Sequence, residues 1–437
     1  MVKEFLEAKT FAVVGAARSK HKVGHAVFKN LLQNKKNKVF PVNPNASKIL
    51  GRKCYREIGE ILSKISCVII AVKAELVPDI LKQAGKKHVQ CAIVVSSGFS
   101  ESKNFELENE IIKLAEQYKI KLLGPNVLGF IHPGKNINAS FFSGIIPKGG
   151  IALLSQSGAL GVGVLDLAIK NNIGFAGFVS LGNCAQLDFS DFIDYYSKDS
   201  ATKVIALYVE SLKENKGRKF LEACKRCKKP IIVLKSGKTS RGIKAASSHT
   251  AALASAEGVY SGMFREAGIL EVNSISELLN VSKVLDRYGQ LGKRACVITN
   301  AGGLGVLAAD SCSENGIELV QVPANIQEKL RKILPVESSL GNPIDLLGDA
   351  LAERYRSVLK LLDSERFFDF FIVLLTPQFM TQSVETAQFL TSLKKPVFAC
   401  FYGGEKVEAA KNVLRNAKIL NFNDVTELKV LGQAISR

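Results

Sequence analysis

The segment Ile151-Ala-Leu-Leu-Ser-Gln-Ser-Gly-Ala-Leu-Gly161 decides the fold class of this chain. Its apolar start is followed by a short polar turn, and the glycines that come next open a helical pattern. A short apolar run of this kind fits a strand that is covered on both faces of a parallel sheet. Glycine in the turn leaves backbone N–H groups and a positive helix end open to an anion. The segment therefore predicts a strand–turn–helix unit that can hold a phosphate.

The same alternation of short apolar runs and longer helical patterns extends along the chain. Further runs rich in Val, Ile and Leu lie at 11–14, 67–72, 92–96, 204–209, 231–234, 296–299 and 371–375. Continuous apolar strands between helices are typical of parallel sheets with helices on both faces. We therefore expect an α/β protein built from doubly wound units.

Two stretches interrupt this alternation. Residues 132–150 are rich in Asn, Gly, Pro and Ser and show no clear periodicity, and residues 288–293 separate a helical segment from a new strand. Breaks of this composition are typical of domain boundaries. We expect three domains, at residues 1–130, 146–288 and 289–437.

The composition of the chain argues against nucleic-acid-binding, membrane-spanning and secreted proteins. The chain has 437 residues, a formal net charge of +19 and no tryptophan. Its basic residues are spread without a long basic block, which favours a solvated basic surface over nucleic-acid binding. No apolar run approaches the roughly 18 residues of a membrane helix, and the N-terminus lacks a signal-peptide pattern. The nine cysteines are mostly scattered, so we expect a cytoplasmic protein.

The first strand is followed by a turn that suits a phosphorylated cofactor. The turn reads Val14-Gly-Ala-Ala-Arg18, and Lys20 and Lys22 lie just beyond it. A nicotinamide enzyme would usually end its second strand with an acidic residue, but that strand ends Val42-Asn43-Pro44. Basic residues near the turn, with no acidic residue at the end of the second strand, suit a ligand that carries an extra phosphate, such as CoA or NADP. A purely structural turn between strand and helix remains the alternative.

A third glycine-rich turn, Thr299-Asn-Ala-Gly-Gly-Leu-Gly305, has the same layout as the one in residues 155–161. Each turn offers free N–H groups at a positive helix end. The alternative for each is close packing of strand and helix, which also requires small residues.

Among the five histidines, His249 stands in an unusual setting. Nearly all its neighbours in residues 244–256 are small, and Gly237 and Gly242 precede it in a polar, basic stretch. An imidazole can accept a phosphoryl group on one nitrogen when a partner orients the proton on the other. Glu210, which follows the strand at 204–209, is the best candidate for that partner. A histidine that serves only packing or capping is the alternative.

Several further motifs stand in order along the chain. They are Gly15-Ala16 with Lys22-Val-Gly24, Val42-Asn-Pro44, Leu123-Gly-Pro-Asn126, Ser155-Gln-Ser-Gly-Ala-Leu160, Ser180-Leu-Gly-Asn183, Ser247-Ser-His-Thr250, Asn300-Ala-Gly-Gly303, Asn342-Pro-Ile-Asp345 and Leu375-Thr-Pro-Gln378. Together they resemble the NDP-forming acyl-CoA synthetases, and within that family the α subunits of ADP-forming enzymes, which are related to succinyl-CoA synthetase.

The resemblance implies a Rossmann-like CoA-binding domain followed by two flavodoxin-like domains. It implies His249 as the phosphorylated residue and Glu210 as its hydrogen-bond partner. The phosphate-binding residues it implies are Ser157, Gly158, Ala159, Gly302 and Gly303. The CoA-binding residues it implies are Gly15, Ala16, Ala17, Arg18, Lys22, Val42, Asn43, Pro44, Val72, Lys73, Ser97 and Asn126.

The resemblance also implies the reaction. Acyl-CoA and phosphate give an acyl phosphate and CoA, the phosphoryl group moves to the histidine, and ADP accepts it at an ATP-grasp domain. We find no convincing ATP-grasp pattern after His249, so we expect a separate β subunit that supplies ADP or ATP and Mg²⁺ in an α₂β₂ complex. The acid is expected to be small, and acetate is the commonest in such enzymes.

This sequence departs from the family pattern at a few positions. They are Ala17, Lys73, Val127, Ala251 and Ser255. The first two concern the details of CoA contact rather than the existence of the site. Two other classes remain open: a CoA-binding regulatory or scaffold protein without turnover, and an NADP-dependent oxidoreductase.

Overall fold

The computed structural model describes residues 2–239, 241–242 and 257–435. The described residues form three large sheets, and the chain divides into two compact units, Met1–Leu278 and Leu279–Arg437. His249, Ala251 and Ser255 lie outside the described residues. The expected α/β class is confirmed, because every large sheet consists mainly of parallel strands.

The first sheet has five parallel strands in the order β2-β1-β5-β6-β7. These strands are β1 (Thr10–Val14), β2 (Lys38–Val42), β5 (Cys67–Ile70), β6 (Cys91–Val94) and β7 (Lys121–Leu123), and a small separate hairpin contains β3 (Lys48–Ile49) and β4 (Arg52–Lys53). All residues of β5 and β6 are buried, as their unbroken apolar sequence predicts. The order reverses between β1 and β5, and ligands of such sheets bind at the carboxyl ends beside that reversal.

Helices connect these strands and cover the sheet. They are α1 (Lys3–Leu6), α2 (Val23–Leu32), α3 (Val77–Lys86) and α4 (Phe105–Gln117), with short 3₁₀ helices at Ile58–Glu60, Ala74–Leu76 and Ser100–Ser102. Helix α2 buries Val27, Phe28 and Leu31, which recur at helical spacing and face the core.

The second sheet has seven strands in the order β14-β13-β12-β10-β11-β8-β9. They are β8 (Gly129–His132), β9 (Ile137–Ser140), β10 (Lys148–Ser155), β11 (Phe175–Ser180), β12 (Val204–Val209), β13 (Ile231–Lys235) and β14 (Leu270–Val272). Strand β8 runs antiparallel to β11 and to β9, and the other pairs are parallel. Residues 132–150, which show no clear periodicity in the sequence, contain β9 and the start of β10.

The helices associated with the second sheet follow its strands. They are α5 (Gly158–Lys170), α6 (Phe189–Lys198), α7 (Gly217–Arg226) and α8 (Glu257–Glu266), with a 3₁₀ helix at Pro133–Lys135. Helix α9 (Ile275–Tyr288) follows β14 and lies mostly in the second compact unit. The first and second sheets belong to the same compact unit. The division at 130, 146 and 288 stays a prediction.

The third sheet has the order β16-β15-β18-β19, and β17 pairs with β15. Its strands are β15 (Arg294–Thr299), β16 (Glu318–Leu319), β17 (Ile344–Asp345), β18 (Phe370–Leu375) and β19 (Val397–Phe401). Its helices are α10 (Gly302–Glu314), α11 (Ala324–Arg331), α12 (Ala352–Leu362), α13 (Ser383–Leu390), α14 (Glu405–Asn416) and α15 (Lys429–Ile435), with a 3₁₀ helix at Val425–Leu428. Within the described parts of the chain, no helix is both long and apolar enough to cross a membrane.

Candidate functional site

The turn after β1 packs closely against the backbone of neighbouring segments. Gly15 has φ +87° and donates its N–H to Val42 O at 3.0 Å. A Cβ on Gly15 would lie 2.2 Å from Ala71 O, and a Cβ on Gly24 would lie 2.0 Å from Gly15 O. Neither contact is possible, so glycine at both positions is required for helix α2 to pack against the turn.

Side chains from the next elements hold the backbone of this turn. Asn43 Nδ2 donates to Ala16 O at 2.7 Å, and His25 Nδ1 lies 2.9 Å from Ala17 O. The predicted cations Arg18 and Lys22 are exposed beside it. The turn therefore presents positive charge to solvent on a fixed backbone, which suits the phosphates of CoA.

The remaining residues of the predicted CoA site follow the ends of β5, β6 and β7. Ser96 Oγ donates to Val72 O, and Asn126 donates its N–H to Ser96 O at 2.9 Å with φ +62°. Lys73 and Ser97 are exposed. Because parallel strands end at the same edge, the sheet brings the predicted set together there. That set is Gly15, Ala16, Ala17, Arg18, Lys22, Val42, Asn43, Pro44, Val72, Lys73, Ser97 and Asn126.

Helix α5 begins at the second glycine turn, in the middle of the second sheet. Ser157 caps it, because its Oγ accepts the N–H of Leu160 at 3.2 Å. A Cβ on Gly158 would meet Leu128 N at 3.4 Å, which is an ordinary contact. Packing therefore does not require glycine at this helix start, and Ala159 beside it is exposed.

Gln156 connects this turn to the predicted partner of the histidine. Its Oε1 accepts the N–H of Glu210 at 2.7 Å and the N–H of Ser211 at 3.0 Å. The two bonds fix the backbone at the end of β12 beside the start of α5. Sequence reasoning placed Gln156 in a motif but gave it no role, because only the paired strands β10 and β12 bring it to Glu210.

One cleft joins the two regions. It has a volume of about 910 Å³ and is lined by Ser157, Gly158 and Ala159 at the start of α5 and by Glu210. Ser97 and Asn126 from the edge of the first sheet line the same cleft. A phosphate at the helix start and a ligand bound along the first sheet would thus share one cavity.

A buried carboxylate ties the first sheet to the second, and sequence reasoning missed it. Glu108 on α4 is 4% exposed, and its carboxylate accepts hydrogen bonds from Ser100 Oγ at 2.6 Å, Asn183 Nδ2 at 2.8 Å and Lys213 Nζ at 2.8 Å. Burial alone would raise the pKa of Glu108, but the hydrogen bonds from Lys213, Ser100 and Asn183 outweigh it and lower that pKa. An isolated glutamate on an amphipathic helix carries no sequence signal of such a role.

The third glycine turn opens α10 in the second compact unit. Asn300 is buried and holds the turn to the loop after β18, since its Nδ2 donates to Thr376 O at 2.9 Å and to Gln378 Oε1 at 2.8 Å. Gly302 and Gly303 at the helix start are exposed, and a Cβ on Gly303 would meet nothing within 4 Å. That Gly302 and Gly303 bind phosphate stays a prediction.

Comparisons with family models agree with this order of sheets. A CoA binding domain matches residues 9–133, a succinyl-CoA ligase like flavodoxin domain matches residues 148–285, and a ligase-CoA domain matches residues 295–435.

Whole proteins match as well. The chain is 35% identical over 447 residues to the acetate–CoA ligase [ADP-forming] II subunit alpha of Pyrococcus furiosus, covering 100% of this chain and 97% of that protein. Its backbone matches the acetyl-coenzyme A synthetase 1 of Candidatus Korarchaeum cryptofilum, solved in complex with phosphate and ADP. The TM-score is 0.95 at 32% identity, with coverage of 100% of this chain and 96% of that one.

Some relatives are longer. The chain is 40% identical to acetate–CoA ligase [ADP-forming] I of Archaeoglobus fulgidus, over 97% of this chain and 62% of the relative. It spans 59% of the corresponding ligase of Methanocaldococcus jannaschii, also at 40% identity.

Proposed function

This chain belongs to the family of ADP-forming acetate–CoA ligases, and we propose that it is the α subunit of such an enzyme. The proposed reaction is acyl-CoA + ADP + phosphate = carboxylic acid + CoA + ATP. The resemblance found in the sequence motifs is confirmed by the matches over the whole chain. The observation that carries the proposal is the single cleft in which Ser97 and Asn126 of the predicted CoA site meet Gly158 and Glu210.

The first step is proposed to take place at the start of α5. The N–H groups of Gly158 and Ala159, together with the positive helix end, would hold phosphate. A phosphate oxygen then attacks the thioester carbonyl carbon, the C–S bond breaks, and CoA leaves as the thiol after taking up a proton. Helix N–H groups aimed at the developing negative charge lower the barrier without rearrangement.

The second step is proposed to transfer the phosphoryl group from the acyl phosphate to His249, which releases the carboxylic acid. His249 lies outside the described residues, so its role rests on its sequence setting and on the place of Glu210. Glu210 would accept the N–H of the imidazole nitrogen that is not phosphorylated and would stabilise the positive charge that develops on the ring. Its backbone is held next to α5 by Gln156.

The last step is proposed to require a second polypeptide. We propose an ATP-grasp β subunit that binds ADP or ATP with Mg²⁺, in an α₂β₂ complex. The names of two relatives from P. furiosus, each a subunit alpha, support a partner subunit. A small carboxylic acid, with acetate first, is the proposed substrate. A cytoplasmic location is also proposed, and the burial of eight of the nine cysteine side chains is compatible with it.

The test is reconstitution of this chain with its β subunit. With acetyl-CoA, ADP, Mg²⁺ and phosphate, we expect release of CoA and formation of ATP, and with radioactive phosphate we expect label on His249. The substitution His249→Ala should abolish the label and ATP formation while CoA binding is kept. His88→Asn is the matched control, because His88 is exposed and precedes β6, at the opposite edge of the first sheet.

Three outcomes would contradict parts of the proposal. Equal label in His249→Ala would remove the histidine from the reaction. ATP formation by this chain alone would remove the β subunit. CoA binding by a wild-type chain that is never labelled would point instead to a regulatory or scaffold protein.

A further inference from the structure

The cleft that contains Glu210 has an unexpected charge for a site proposed to bind anions. The chain carries 59 lysine and arginine residues, yet Lys213 is the sole basic residue among the described residues that line the cleft. Three acidic residues, Glu101, Glu210 and Glu214, line the same cleft. A phosphate anion that enters it would be repelled by these carboxylates unless a fixed cation compensates.

The ammonium group of Lys213 is held in place by a buried carboxylate. Lys213 Nζ donates to Glu108 Oε1 at 2.8 Å, and the Glu108 side chain is 5% exposed, whereas that of Lys213 is 42% exposed. The other oxygen of this carboxylate, Oε2, accepts from Ser100 Oγ and Asn183 Nδ2. An ammonium group has three N–H donors, so one is committed to Glu108 and two remain for a ligand.

The backbone that leads into Lys213 is fixed as well. The three preceding residues donate their N–H groups to side chains: residues 210 and 211 to Gln156 Oε1 at 2.7 and 3.0 Å, and Leu212 to Tyr260 OH at 2.9 Å. Gln156 belongs to the turn before α5, and Tyr260 lies on α8. A lysine that is anchored at its backbone and at its ammonium group loses less conformational entropy when it binds a ligand than a mobile lysine does.

The carboxylate of Glu101 has partners other than Lys213. Its Oε1 accepts the N–H groups of Gly98 at 2.6 Å and Phe99 at 3.2 Å, and its Oε2 accepts Asn183 Nδ2 at 2.5 Å. In the described part of the chain, Glu108 is therefore the carboxylate that pairs with Lys213.

The start of α5 alone cannot balance a phosphoryl group. Such a group carries about two negative charges at neutral pH, whereas a helix N-terminus supplies the equivalent of about half a positive charge. Most of the negative charge is left over, and Lys213 is the side chain of the described lining that can compensate it.

We propose that Lys213 is a phosphate-binding residue of this cleft, which supplies the cation that the phosphoryl group requires in addition to the start of α5. The inference rests on the proposed function, which brings phosphate and the acyl phosphate into the cleft. The ammonium donates to a phosphoryl oxygen and keeps its proton throughout. The phosphates of CoA have their own cations at the first turn, Arg18 and Lys22, which do not line the cleft.

The experiment replaces Lys213 by Met in the complex of this chain with its β subunit. The concentrations of phosphate and of acetyl-CoA that half-saturate the initial rate of His249 labelling are measured, each with the other substrate in excess. Loss of a charge-assisted hydrogen bond should raise the phosphate concentration about tenfold or more and change the acetyl-CoA concentration less than about twofold. Lys213→Arg keeps a cation and should stay within about threefold of the wild type.

Lys216 provides a matched control. It pairs with the carboxylate of Asp188 at 3.4 Å, and the two side chains are 37% and 7% exposed, which is close to the values for Lys213 and Glu108. Lys216 does not line the cleft. Lys216→Met should therefore leave the half-saturating phosphate concentration unchanged. A rise as large as that of Lys213→Met would show that loss of an ion pair, rather than loss of a phosphate ligand, causes the effect.

Two further variants separate phosphate binding from the joining of the two sheets. Glu108→Gln breaks the same ion pair but keeps the ammonium, so it should raise the half-saturating phosphate concentration less than Lys213→Met does. The double variant Lys213→Met/Glu108→Gln leaves no buried carboxylate without its cation and should show the full rise. It takes the place of Lys213→Met if the single variant does not fold.

Three outcomes would overturn the inference. They are an unchanged phosphate dependence in the double variant, an equal rise in Glu108→Gln and Lys213→Met, and a rise that is confined to acetate when the reaction is run from acetate, CoA and ATP. The last outcome would assign Lys213 to the carboxylate of the acid. A wild type without label on His249 would instead refute the proposed function.

Discussion

The turns at Gly15 and at Gly158 have the same sequence layout but differ in whether packing requires glycine. At Gly15 an added Cβ would lie 2.2 Å from the carbonyl oxygen of Ala71, so the residue is fixed by packing. At Gly158 the nearest atom to an added Cβ is 3.4 Å away, an ordinary contact. Sequence reasoning left ligand binding and close packing open for each turn, and the structure shows that packing requires glycine at Gly15 but not at Gly158.

The turn at Gly303 resembles the one at Gly158. A Cβ on Gly302 would approach only Asp345 Oδ2, at 3.0 Å, and a Cβ on Gly303 would meet nothing within 4 Å. Gly303 therefore leaves the helix start bare without any steric need, whereas a Cβ on Gly302 would require the Asp345 side chain to shift slightly. That arrangement favours access of an anion to the N–H groups, whereas the first turn favours a rigid platform.

The largest expected effect is the loss of stability when a methyl group is added where helix α2 packs against the first turn. Gly24→Ala should lower the free energy of unfolding by about 3 kcal/mol or more, because the methyl group meets the backbone carbonyl of Gly15. Gly158→Ala, the matched change in the second turn, should cost less than about 1 kcal/mol. Urea denaturation of both variants measures the difference, and similar losses would erase the distinction between the turns.

An intermediate effect is expected where the two sheets are joined. Glu108→Gln should cost about 2 kcal/mol, because it breaks the ion pair with Lys213 and one amide pairing with Asn183. The pKa of Glu108 is lowered in the folded chain, so its stabilisation is present above the unfolded pKa of about 4.3 and is lost as the pH falls through the folded value.

The measurement for Glu108 is denaturation of the wild type and the variant between pH 7 and pH 3. The gap between them should be full at pH 7 and should close below about pH 4. Glu110→Gln, an exposed change on the same helix, should shift the midpoint by less than about 0.5 kcal/mol at any pH. A constant gap would show that the charge of Glu108 does not hold the sheets together.

The smallest effect on stability is expected at the third turn. Gly303→Ala should change the free energy of unfolding by no more than about 0.5 kcal/mol, or raise it slightly, since alanine favours the helix and meets no neighbour. The informative readout is the phosphate concentration that half-saturates His249 labelling, which should rise. A clear loss of stability without a change in phosphate dependence would assign this glycine to packing after all.

Sequence reasoning predicted the fold class and the grouping of the predicted CoA residues, because both follow from local patterns. Apolar runs such as 67–70 form parallel strands, and residues that follow parallel strands meet at one edge. It gave no periodic signal for strand β9 within residues 132–150, because β9 alternates apolar and polar residues over four positions only. So short an antiparallel strand is stabilised by its neighbour rather than by its own sequence.

The sequence by itself determined the α/β class, the three glycine turns and the small-residue setting of His249, since these depend on residues that are close along the chain. Only the tertiary structure decided that Gln156 reaches Glu210 and that the buried Glu108 pairs with Lys213. Burial and charge pairing are set by elements far apart in sequence, and no local pattern records them.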